Sequence, residues 1–413
     1  MTPSSELSAS SDAPAPLGDG WREHAQRVQV ASMPDGEVVV SCPAPLGSGG
    51  LGRHLGEILD ALDRGGRPNA CVRRRSGQGV GRKVRGEAGR ESPGEATCDR
   101  SVAPRDRDVA PRDRDVELTG GWRATLASPL GRTSRAWRMW AESVDFDAEA
   151  ARRLPHGEHL IAFNGTAQDQ FRRSARDGWA SRRLVSANSH FRRVVARHEL
   201  AHTRYPIERP WVTHLLGRNL REYDLADRIY VSSGYIRDSF LEEGHDEQTL
   251  TPFPLLPHPR FVPAGEAASS STFDIVYVGS LLVHKGVPLL LDAVARLPHD
   301  DLRVVLVGGP GTRAMRRYLE KVCARDVRIT IAPGDPLGPL QRANLCVHPA
   351  YEDGFGYAPA EALACGVPVI VSEDTGMKEL LTPGRNGVVL PTGELETLAE
   401  SIDAAYRGEL LRG

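Results

Sequence analysis

Between Phe273 and Ser372, short β-branched and aliphatic runs alternate with helical stretches, and that alternation constrains the fold more than any other feature of the chain. Phe273–Val278, Leu302–Val307, 327–332, Leu345–His348 and 367–372 read as strands, while 288–297, 313–325 and about 358–364 read as helices. Such an order builds a parallel sheet with helices on both faces, and it places ligand chemistry in the loops at strand C-termini. The first half repeats the pattern. An apolar run at 37–42 leads into Gly47-Ser-Gly-Gly-Leu-Gly52, then into Leu51, Leu55, Ile58, Leu59 and Leu62 at helical spacing, and then into a second strand at 69–73. His159–Phe163, 183–187 and 228–232 supply more strands. The expected fold class is therefore α/β, with two doubly wound domains facing a central cleft.

The expected boundaries follow composition. Residues 1–33, rich in Ser, Pro and Ala towards the start, read as a flexible tail. Residues 34–255 form the N-terminal domain, 256–272 a Pro- and Ser-rich linker and 273–413 the C-terminal domain. Within the first domain, 74–121 lacks apolar periodicity, and 102–108 is repeated directly as 109–115. It reads as a disordered insertion in a loop, where extra length costs little.

With 40% hydrophobic residues in 413, the chain can bury sizeable cores. A formal charge of -2 gives no bulk attraction to nucleic acid, so no nucleic-acid partner is expected. No apolar run nears the roughly 18 residues of a membrane span, and no secretory signal is visible at the start. The six cysteines are scattered, which points to reduced thiols and a cytoplasmic location. Between 171 and 221 there are 12 Arg and three acids. That excess is either a solvated face balanced elsewhere or a patch for an anionic acceptor at a membrane surface.

Two motifs carry chemistry. In Asp353-Gly-Phe-Gly-Tyr-Ala-Pro-Ala-Glu361, a strand end is followed by glycines and a new helix, so backbone N–H groups and a helix N-terminus meet any anion there. The two carboxylates flank that pocket and suit paired hydroxyls. In Gly279-Ser-Leu-Leu-Val-His-Lys285, a lysine precedes a helix in a chain with only four lysines, which suggests a deliberate phosphate contact.

Through these motifs and Ala362–Pro368, the chain resembles glycosyltransferase family 4, retaining nucleotide-sugar enzymes of the GT-B fold. The resemblance implies a nucleotide-sugar donor, an acceptor yet to be identified, no cofactor and no metal. It assigns donor binding to Gly49, Gly50, Ser280, Lys285, Asp353, Gly354, Phe355, Gly356 and Glu361, with Lys285 on the diphosphate and Glu361 on the ribose diol. Asp353, Lys285 and His190 are its catalytic candidates, and Asp224–Ser233 resembles the stretch that ends the family's first domain. Two positions depart from the family. Asp353 stands where Glu is frequent, and Ser280 stands where an Arg commonly meets the diphosphate. These departures motivate the alternative of a catalytically degenerate nucleotide-sugar binder; a GT-B epimerase or phosphorylase is a further alternative.

Other patterns are weaker. Gly47–Gly52 fits the dinucleotide glycine spacing, but no acid ends the following strand. Arg73–Arg75 keeps an NADP enzyme as a distant option. Asp106-x-Asp108, Asp113-x-Asp115 and Asp145-x-Asp147 imitate a metal motif, but two of the three sit in the repeat, where rigid ligand geometry is not available. Selection of the donor's base is expected around 332–335.

Overall fold

The structure, a computed structural model, describes residues 19–74, 114–118, 135–265, 272–382 and 384–410. Two parallel sheets organise it. The first contains β1 (Val38–Cys42), β2 (Asn69–Arg74), β3 (Val116–Leu118), β4 (His159–Phe163), β5 (Ser181–Ser186), β6 (Arg228–Val231) and β7 (Leu250–Pro252), in the order β3-β2-β1-β4-β5-β6-β7. The second contains β8 (Phe273–Val278), β9 (Leu302–Val307), β10 (Ile329–Ile331), β11 (Leu345–His348), β12 (Val369–Ser372) and β13 (Gly387–Leu390), in the order β10-β9-β8-β11-β12-β13. Both orders reverse beside the first strand, the doubly wound arrangement in which ligands bind at the crevice where the order switches. Central strands such as Val38-Val-Val-Ser-Cys42 are buried along their whole length, as covered parallel strands must be.

The helices that matter for the site are α1 (Asp19–Ser32), α2 (Gly49–Arg64), α3 (Arg135–Arg153), α4 (Gln168–Arg176), α5 (Phe191–Arg204), α6 (Leu216–Leu225), α7 (Gly234–Glu242), α8 (Val287–Val294), α9 (Arg313–Cys323), α10 (Leu337–Arg342), α11 (Tyr357–Ala364) and α12 (Leu395–Tyr406). The two domains share apolar packing. One cluster runs from Val40, Leu55 and Ile58 through Phe253, Leu255 and Phe261 to Val276, Cys346 and Ala360. No helix among the described residues is long and apolar enough to cross a membrane.

Two sequence expectations need correction. Residues 19–32 are α1, not tail: Gln29 Nε2 donates to the Pro254 carbonyl at 2.7 Å, and the Ser32 carbonyl accepts from Arg183 and Tyr230. Residues 116–118 are not insertion but the edge strand β3, anchored because Asp115 accepts from the Cys71 N–H at 2.9 Å. Arg74, too, closes β2. Residues 75–113 and 119–121, with Arg75, the first Asp-x-Asp and Asp113, lie outside the described residues, as do residues 1–18. The described part of the expected linker, 256–265, runs between the sheets with Leu256 and Phe261 buried and 258–259 and 262–265 exposed.

Candidate active site

Three loops with the expected residues follow strands at the two switch points: the glycine loop after β1, the lysine loop after β8 and the acidic loop after β11. The first comes from one domain and the other two from the second, so the site is shared. Lys285 Nζ lies 3.1 Å from Asp353 Oδ2 and donates to the Glu352 carbonyl at 3.0 Å. His348 Nε2 is 3.0 Å from the same Asp353 oxygen. Burial by itself would raise the Asp353 carboxyl, but the Lys285 ammonium and the His348 ring outweigh it and hold the group below the usual carboxylate range.

The glycines of this motif are required by space and by dihedral angle. A Cβ at Gly354 would run into the Ala187 carbonyl of the opposite domain. Gly356 opens α11 at φ 86°, in the left-handed region. Backbone bonds from Gly376 N–H to Asp353 and from Met377 N–H to Phe355 fix the loop, and buried Phe355 packs beneath it. In the first turn of α11, Pro359 has no N–H and the Ala360 N–H donates to the Gly356 carbonyl at 3.3 Å, which leaves the Tyr357 and Ala358 N–H groups without an acceptor in the helix and available to an anion.

Glu361, projecting from α11, is 1% exposed and paired with Arg53 of α2. Burial lifts its carboxyl to about 7 in spite of Arg53 and the nearby Arg260. The Arg53 guanidinium sits 4.5 Å over the Tyr357 ring, whose hydroxyl donates to Glu57 at 2.7 Å. Asp335, in the region expected to select the base, is held by Arg260 at 2.8 and 3.0 Å. Gly49 and Gly50 are exposed at the start of α2, with Gly50 facing Tyr357. Ser280 is exposed in the lysine loop, and its carbonyl accepts from Tyr277 at 3.2 Å.

His190 caps the start of α5. Its ring packs against Tyr223 at 4.8 Å, Phe240 at 5.1 Å and His245 at 5.4 Å, and burial lowers it to about 4. These are the surroundings of a packed histidine. Its neighbours reach the site instead: Asn188 Nδ2 and the Ser189 N–H and hydroxyl all donate to Glu352 at 2.8–3.1 Å. Ser233 caps α7 and donates to the Gly354 carbonyl at 2.8 Å. Glu352, Arg53, His348 and Tyr357 were missed in the sequence. Glu352 adjoins Asp353 and was legible as a second acid, whereas Arg53 is one arginine among many.

Much of the arginine-rich segment proves to be paired. Arg218 is buried on Asp147 and Glu222, which removes Asp147 from any metal motif, while Arg197 reaches Asp374 and Arg182 reaches Asp227. Arg152, Arg172, Arg173 and Arg176 line an outer groove of about 570 Å³ between α3 and α4.

Comparison with known proteins bears on the fold. Residues 263–412 match the family model "Glycosyl transferases group 1". A D-inositol 3-phosphate glycosyltransferase from Mycobacteroides abscessus is 29% identical over 170 residues, 37% of this chain and 36% of that protein. An N,N'-diacetylbacillosaminyl-diphospho-undecaprenol alpha-1,3-N-acetylgalactosaminyltransferase from Campylobacter jejuni is 30% identical over 138 residues, covering 33% and 36%. The matched part thus spans about a third of these curated relatives. Two solved structures align over nearly the whole length. Sucrose-phosphate synthase from Thermosynechococcus elongatus has a TM-score of 0.60 at 18% identity, covering 91% of this chain and 92% of its own. Anabaena HepE in complex with UDP-glucose has 0.54 at 15%, covering 91% and 92%. The fold is that of the GT-B glycosyltransferases, and the second domain carries their group 1 signature.

Proposed function

We propose that this protein is a retaining, metal-independent glycosyltransferase of the family 4 type, moving a sugar from a nucleotide-diphosphate donor to an acceptor presented by the N-terminal domain. The observation that carries the reading is the Lys285–Asp353 pair at the switch point of the second sheet, beside the N-terminus of α11 and opposite the glycine loop. A leaving diphosphate there would be met by one ammonium and by the main-chain amides around Gly354–Gly356, charge stabilisation where negative charge develops. Asp353, held ionised, would take hydrogen bonds from the donor sugar, and Glu361 would take them from the ribose diol.

Ribose entry requires Arg53 to leave Glu361. Freed beside Gly49 and Gly50, its guanidinium would supply the diphosphate contact that Ser280 does not, and domain closure would complete the site. His190 receives no step in this scheme; the acceptor proton passes to a donor phosphate oxygen.

Release of nucleoside diphosphate from a panel of UDP-, GDP- and ADP-sugars, with product anomer read by NMR, tests the proposal. Lys285→Ala and Glu361→Ala should each lower turnover at least a hundredfold, and EDTA should leave the rate unchanged. Full activity in both variants would discard the assignment. Saturable donor binding with no release by the unaltered protein would favour the degenerate binder.

A further inference from the structure

Behind Lys285, buried nitrogen atoms gather at the domain junction without partners. Among the described residues, sixteen buried side-chain nitrogens and oxygens lack a hydrogen bond, and six of them belong to one cluster: Arg135 Nε and Nη1, His198 Nδ1, His202 Nε2, Trp211 Nε1 and His284 Nδ1. The rings of His198 and His284 stack at 3.9 Å. His202 lies 5.9 Å from His198, Trp211 5.9 Å from His198, and Arg135 sits 4.8 Å over the Trp211 ring. The three histidines are 3–5% exposed. Isolated orphans occur in native proteins; a group of this size calls for partners from outside the polypeptide, water or a bound ligand.

The chemistry of that partner follows from what is left unpaired. Glu208 is the acid facing the cluster, and both of its oxygens are engaged, with the Val283 N–H at 3.1 Å and the Thr312 hydroxyl at 2.6 Å. Lys285 is engaged with Asp353 and the Glu352 carbonyl. What remains is a guanidinium and an indole N–H, which only donate, and three imidazoles, which donate from both nitrogens once protonated; His202 already gives its Nδ1 proton to the His198 carbonyl at 2.6 Å, so its Nε2 donates only as imidazolium. A neutral polyol needs acceptors as well as donors; an oxyanion needs donors only. A metal ion fits poorly, because stacked imidazoles hold their ring planes nearly parallel, at 22°, so their in-plane lone pairs do not converge.

We propose that Arg135, His198, His202, Trp211 and His284 form a subsite for an oxyanion carried by the acceptor, a phosphomonoester or an equivalent group. This rests on the transferase reading. Four of the five residues belong to the domain that presents the acceptor, and the fifth adjoins Lys285. The nucleoside side of the cleft is built from other elements, α2 and α11. Because the cluster spans the junction, domain opening admits the anion and closure seals it against the donor. Burial keeps the His198 and His284 rings neutral, and an oxyanion beside them would favour the protonated forms that donate from both nitrogens.

Calorimetric titration of the full chain with inorganic phosphate, with and without saturating UDP, is the test, and thermal shift with nucleotide sugars serves as a separate control. The expected result is saturable phosphate binding that persists with UDP present and weakens at least tenfold in Arg135→Gln and His198→Asn. Trp211→Phe, which keeps the ring and removes only the N–H, should weaken it about threefold and guards against variants that fail to fold. Absent phosphate binding, or equal binding in folded variants, overturns the subsite. Displacement of phosphate by UDP overturns its assignment to the acceptor and gives it to the donor. Phosphate binding without any nucleotide-sugar binding discards the transferase reading and leaves the anion site standing.

Discussion

Glu361 shows how a single side chain can set the working pH of the proposed site. An acid whose folded pKa lies near 7 is mostly protonated at pH 6 and mostly ionised at pH 8, and only the ionised form accepts from both ribose hydroxyls. Donor affinity should therefore fall roughly tenfold between pH 8 and pH 6, the ratio of carboxylate populations at those two pH values. Glu361→Gln should bind more weakly and show no such slope; a slope that persists in the variant would trace the effect to another group. The sign for stability is the opposite. A carboxyl with a raised native pKa binds protons in the folded state that the unfolded chain has lost, so this group favours folding at lower pH and that contribution disappears as pH rises through 7. The residue was legible as half of an acid pair, and its shifted pKa was not, because the shift comes from burial against another domain.

At the scale of elements, α1 is a strap. Arg22 donates to the Pro257 carbonyl at 3.2 Å, and Gln29 bonds both Glu57 and Pro254, so the helix ties α2 to the crossing between domains. Glu57 in turn accepts from Tyr357 and from the Leu256 N–H. Deleting residues 1–32 should cost on the order of 3 kcal/mol, from lost burial around Ala25 and several hydrogen bonds, and should lower the melting temperature. An unchanged melting curve would show the helix to be dispensable. The sequence concealed α1 because the centre of its buried stripe is Gln29, a polar residue whose partners lie far along the chain. β3 was concealed for a related reason: a three-residue edge strand leaves no period to read, and its anchor, Asp115, ends a repeat that looks uniform.

For the whole molecule, a buried carboxylate is one of the contacts that close the junction. Glu352, 1% exposed, takes hydrogen bonds from Asn188 and Ser189 across the cleft, and Ser233 reaches Gly354 beside it. Glu352→Ala would strand those donors, at about 1–3 kcal/mol each when they stay buried. The domains should part, with a larger radius of gyration in small-angle scattering and a donor KM raised about tenfold. An unchanged radius and KM would mean that closure does not depend on this contact.

Local pattern was enough for ten of the thirteen described strands and for the loops that carry Lys285, Asp353 and Glu361, because strand and helix periods and glycine-bearing strand ends are properties of neighbours in the chain. Strands β3, β7 and β13 and helices α1, α3, α5, α7, α10 and α12 lay outside that local reading. What faces those residues was decided only by folding. The pairing of Arg53 with Glu361, the aromatic seat of His190 and the unpartnered nitrogens around His284 each join segments separated by tens to hundreds of positions. Contacts of that kind depend on how two domains meet, which no local period encodes.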